Sequence, residues 1–161
     1  MTEDLLATYI HDHLAGASGA LNLIEDLRDD HTGEPLGRFA AGLLSEIEED
    51  RATLEQIANR VGGDYSKSKE AVAWVGSKLA RVKLGRSLAG DFGVFQALET
   101  LGLGIQGKLA LWRVLNFLSE GDIRLRGIDF NQLSARAERQ HAQVEEKRLA
   151  AAQTIFQNVH H

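Results

Sequence analysis

Apolar residues recur at spacings of three and four along most of the chain, and alternating β-branched runs are scarce, so the pattern predicts an all-α protein. A first helix from about Glu3 to Arg28 carries Leu6, Ile10, Ala17, Leu21 and Ile24 on one stripe. DDHTGEP then reads as a turn, and Pro35, the only proline, suits the first position of the next helix. That helix carries Leu36, Ala40, Leu43, Ile47, Leu54, Ile57 and Val61 and stops at Gly62-Gly63. A shorter helix, about Lys69 to Leu84, follows the serine caps of SKSKE, with Val72, Val75, Leu79 and Val82 on its apolar face. Two further long helices are predicted from about Asp91 to Ser119 and from Asp129 to about Gln157. Asp129 and Gln132 open the last one in a capping-box arrangement. The loop between them, EGDIRLRGI, is charged and short of strand character.

Four long helices, each about 40 Å at 1.5 Å per residue, suit a four-helix bundle, with the 69–84 segment as a short crossover helix between the second and third long ones. At 161 residues one domain over 1–159 accommodates all of this, and His160 and His161 read as a possible tag remnant. The hydrophobic share of 43% and charged share of 25% are ordinary for soluble chains. No apolar run approaches the roughly 20 residues of a membrane span, and MTEDLLATYI lacks the basic start of an export signal. Without cysteine there is no disulfide, thiolate metal site or cysteine nucleophile, and a cytoplasmic location is expected. A net charge of −5 argues against a general nucleic-acid binder.

ERQHAQVEEKR, residues 138 to 148, sets Glu138 and His141 three apart, on one side of a helix. With the helix count and the crossover, this Glu-x-x-His pair resembles the ferritin-like superfamily. DHLAG (Asp12 to Gly16) and GKLALW (Gly107 to Trp112) look like a bacterial branch of it that carries over no activity. The resemblance implies a di-iron set: one Glu from each of two helices and a Glu-x-x-His from each of the other two. Here that set is incomplete. SEIEEDRATLE contains no histidine, and the first helix offers His13 in place of an inward Glu.

Turns at 28–35 and 119–129 bring His13 opposite Asp50, with Glu46, Glu138, His141 and Lys108 near the same level. Two readings stay open. One is a buried His/carboxylate polar layer inside a non-catalytic bundle that acts by binding or interaction, with a homodimer as one form and no cofactor. The other is a metal-binding protein or oxidoreductase holding iron, manganese or zinc with His13, Glu46, Asp50, Glu138 and His141. A lysine at that level opposes cation binding, and its ammonium can itself act as the counter-ion. Glu99 faces Arg148 and reads as a separate ion pair. Neither a phosphate-cradling glycine loop nor a GxSxG elbow is present.

Small residues gather as AGASGA (15 to 20) and as Gly102, Gly104 and Gly107. They predict either close approach of two helices or room for an internal ligand between them. Lys67, Lys69, Lys78, Arg81, Lys83 and Arg86 form a basic stretch, read as a solvated face or as a partner for EIEED on the second helix.

Overall fold

The computed structural model describes residues 4–63 and 90–157, and among these every regular element is helical. The helices are α1 (Leu5–Asp30), α2 (Pro35–Val61), α3 (Asp91–Leu118) and α4 (Phe130–Gln157), with one 3-10 turn at Ile123–Leu125. The expected short helix at 69–84, its basic side chains and the terminal histidines lie outside the described residues. No described helix is long and apolar enough to cross a membrane.

Local chemistry sets the helix ends. The Asp4 carboxylate accepts from the Leu6 and Ala7 amides at 3.1 and 3.3 Å, satisfying two of the donors that a helix start leaves open. Pro35 takes the first position of α2, where its missing N–H costs nothing. Gly62 ends α2, and Gly63 follows at φ +97° against α1, where a Cβ would stand 2.6 Å from the Ala7 Cβ. Asp129 accepts from the Gln132 amide at 3.0 Å, as the capping-box spacing predicts.

α1 pairs with α2 and α3 with α4 as two hairpins, which meet chiefly along α1 and α3. Ile10, Leu23, Ile24, Ile57, Leu98 and Leu115 fill the core, fully enclosed. Trp112 packs on Phe130 with ring centroids 6.1 Å apart.

Contacts near the helix ends show the helix directions. Arg124 reaches Asp4 at 2.9 Å, and Arg60 donates to the Arg126 carbonyl at 2.8 Å. One pole therefore gathers the start of α1, the end of α2 and the α3–α4 loop. At the other pole Lys147 lies 5.4 Å over the Phe39 ring, and Phe95 meets Phe156 at 5.5 Å. α2 and α3 consequently run parallel, and residues 63 and 90 lie at opposite poles.

Candidate functional site

Asp50 occupies an apolar position of α2, between Ile47 and Leu54, and its side chain is only 3% exposed. A carboxylate there is tolerable only if its charge and lone pairs are answered. Lys108 of α3 donates from Nζ to Asp50 Oδ2 at 2.6 Å and to Gln140 Oε1 at 2.5 Å. Arg136 of α4 donates to Oδ1 through Nη2 and through Nε at 3.1 Å, while its Nη1 reaches Glu49 at 2.8 Å. Gln140, fully buried, turns its amide nitrogen toward Asp50 Oδ2 at 3.4 Å. One carboxylate thus ties α2 to both helices of the opposite hairpin. Burial pushes the Lys108 pKa below its ordinary value, although Asp50 opposes the shift. Arg136 is also partly desolvated, but its bonds to Asp50 and Glu49 outweigh this and hold its pKa above the ordinary value.

The five side chains proposed as metal ligands are not brought together. Asp50 is engaged by two cations, and Glu46 is held by Arg139 at 2.6 Å. Glu138 lies outside the core, 3.1 Å from Arg113. His141 is half-buried and lies near Glu145, four residues along α4. Only His13 and Asp50 share a space, as lining of the same cavity. Among the described residues no three His, Asp or Glu side chains gather so as to hold a metal ion. A di-iron set of ferritin-like type does not fit this donor arrangement, because Asp50, Glu46 and Glu138 already face cations.

The residues that complete the layer are Gln140 and Arg136, neither of which the Glu-x-x-His spacing singles out. The signal for position 140 is the apolar stripe of Phe130, Ala137 and Val144, which carries it inward and turns 141 aside. Lys108 does stand at the layer as a counter-ion. Arg148 meets Glu99 at 3.2 Å and Glu145 at 2.7 Å.

Beside the layer, between α1, α2 and α3, lies a cavity of about 380 Å³ with mostly apolar walls. Gly16 of α1 and Gly104 and Gly107 of α3 line it. A Cβ built on any of the three meets nothing within 4 Å among the described residues. Among the described residues the glycines at these positions leave room and do not serve close helix contact. Gly102 has a neighbour, Val144 at 3.9 Å, an ordinary contact. Lys108, Asp50 and Trp112 also border the space.

His13 lines the cavity with its ring set edge-on to Tyr9 at 4.8 Å. Burial lowers its pKa, against a smaller opposing pull from Asp12. The folded state therefore binds this proton more weakly than the unfolded chain, whose histidine titrates near 6.5. The resulting stability is fully present above that unfolded value and is lost as pH falls toward the depressed folded one. The slope is at most about 1.4 kcal/mol per pH unit. Urea unfolding at pH 7.5 and pH 5 should show a smaller acid loss in His13→Asn than in the parent. An equal loss in both would assign the acid sensitivity to other groups.

No known family matches the chain, and neither a curated protein nor a solved structure matches it at a significant level.

Proposed function

We propose that this chain is a non-catalytic binding protein, a bundle of ferritin-like helix order that holds an apolar small molecule between α1, α2 and α3. The observation that carries the reading is the open space over Gly16, Gly104 and Gly107. A glycine inside a helix costs about 0.5–1 kcal/mol relative to alanine, so three facing one cavity forgo stability that alanine would supply. The volume of about 380 Å³ falls within the range of small-molecule sites, which are mostly apolar with a few placed polar groups. The parallel course of α2 and α3, with residues 63 and 90 at opposite poles, suits the ferritin-like order. The absence of a catalytic role in this reading follows from the pairing of each layer carboxylate with a cation.

Gly16→Ala and Gly104→Ala should each raise unfolding stability by about 0.5–1 kcal/mol in urea melts, since nothing described stands where the methyl would go. A loss in either would mean that the glycine is packed against something, and the cavity reading would fall. Binding is tested with Nile red, a neutral apolar dye whose fluorescence reports its surroundings. The parent chain should bind it and release it to n-decanol. Gly16→Leu/Gly104→Leu, with its helix content checked by circular dichroism, should bind it at least tenfold more weakly. Unchanged affinity in the filled variant would rule the cavity out.

A further inference from the structure

The chemistry of the cavity's polar end selects among apolar ligands, an inference that rests on the cavity reading above. Lys108 is the charged side chain common to layer and cavity that carries donors only. An ammonium has three hydrogens, and two are engaged, one by Asp50 and one by Gln140. Within the layer the Asp50 carboxylate is flanked by two cations, Lys108 and Arg136, while the other acidic neighbours, Glu46 and Glu49, are engaged by Arg139 and by Arg136 toward the exposed edge.

The unmet hydrogen bonding around the cavity consists of donors. Arg51 and Trp112 both line it, and Arg51 Nε and Trp112 Nε1 are buried donors with no hydrogen-bond partner among the described residues. Neither atom is solvent-accessible, so they indicate what the surroundings lack and not a contact. Arg51 adds positive charge at the cavity, although Glu55 shares its Nη1 at 3.2 Å. Asp12 is the acidic side chain that α1 contributes to the lining.

We infer that the cavity takes an amphipathic anion: a monocarboxylate whose hydrocarbon body lies along the glycine-lined walls and whose carboxylate accepts the third Lys108 N–H. A carboxylate supplies the acceptor together with a negative charge beside Lys108 and Arg51. A neutral alcohol of the same length supplies the acceptor alone. The Lys108 ammonium makes a charge-assisted bond to either oxygen, but only the carboxylate adds the attraction of opposite charges, which in a partly desolvated pocket corresponds to about a tenfold preference.

Decanoate and n-decanol are compared as competitors of Nile red on the full chain at pH 7.5. Decanoate should displace the dye at least tenfold more tightly than decanol. Lys108→Met should weaken decanoate at least tenfold more than it weakens decanol. Because that variant unbalances Asp50, Asp50→Asn/Lys108→Met is measured beside it, and the same selective loss is expected. Equal affinity for the two ligands in the parent chain would overturn the anion assignment and leave the apolar cavity standing. A decanoate preference that survives both variants would also overturn it. Failure of dye and decanol to bind at all would sink the cavity reading, and this inference with it.

Discussion

Asp50→Ala should destabilise the fold by about 3–5 kcal/mol, the usual consequence of removing one partner of a buried charge cluster. The figure is large beside a total stability of about 5–15 kcal/mol for a domain. The reason lies in what stays behind. Lys108 is 15% exposed and Arg136 22% exposed at their side chains, so neither can simply turn to water when the carboxylate goes. Lys108 would keep only the Gln140 carbonyl oxygen, and Arg136 only Glu49 at the rim. The two hairpins would also lose a tie that joins α2 to α3 and α4 through one side chain.

The cluster as a whole is a different matter, because desolvating the charges offsets much of their attraction. Asp50→Leu/Lys108→Met/Arg136→Met/Gln140→Leu should therefore recover most of the loss and fall within about 1 kcal/mol of the parent chain, or above it. Urea melts followed by circular dichroism at pH 7 measure all three proteins. A loss under about 1 kcal/mol for Asp50→Ala would show that Lys108 and Arg136 find other partners and that the layer does not bind the hairpins together.

Much of this layer is legible in the amino-acid sequence. Asp50 stands in a stripe otherwise made of Leu36, Leu43 and Ile57, and Lys108 continues the run through Leu98, Leu101 and Ile105. A charged residue in such a stripe must meet another, and the turn positions set the heights at which they meet. The same heights put Glu99 opposite Arg148, where the fold holds them, and His13 lines the same cavity as Asp50.

Positions 140 and 141 are where the pattern misleads. Adjacent helical residues differ by about 100°, so choosing His141 over Gln140 turns the polar group out of the core. The Glu-x-x-His spacing favours the histidine, while the burial of Phe130, Ala137 and Val144 favours the glutamine. Arg136 escapes the pattern for another reason. It starts from a partly exposed position and reaches inward along its own aliphatic stem, which residue periodicity does not register. The glycines pose the converse problem. Composition marks AGASGA and Gly102 to Gly107 as unusual, but contact and vacancy have the same sequence, and only the positions of neighbouring atoms separate them.

Gly37→Ala tests a glycine of the opposite kind and should cost about 1–2 kcal/mol net. Gly37 lies buried in the first turn of α2, folded back on the α1–α2 turn. A Cβ there would stand 2.1 Å from the His31 carbonyl oxygen, 2.8 Å from its carbon and 3.3 Å from the Arg28 oxygen. All three are backbone atoms, so no side-chain rotation relieves the overlap. To reach ordinary contact the turn must open by more than about 1 Å, and the His31 carbonyl is itself fixed by the Glu34 amide at 3.0 Å. The same movement strains the 2.7 Å contact between His31 Nδ1 and Glu34 Oε2. Overpacking of this type costs about 1–3 kcal/mol and sometimes more, whereas the helix preference of alanine returns at most about 1 kcal/mol. The clash wins because backbone must move. Gly42, about one and a half turns further along α2, is exposed, and a methyl group there would meet nothing within 4 Å among the described residues. Gly42→Ala should thus stabilise the same helix by about 0.5–1 kcal/mol. Opposite signs for the two variants in one set of urea melts would separate packing from propensity within a single helix. A gain in both would mean that the α1–α2 turn yields easily and does not set the hairpin's geometry.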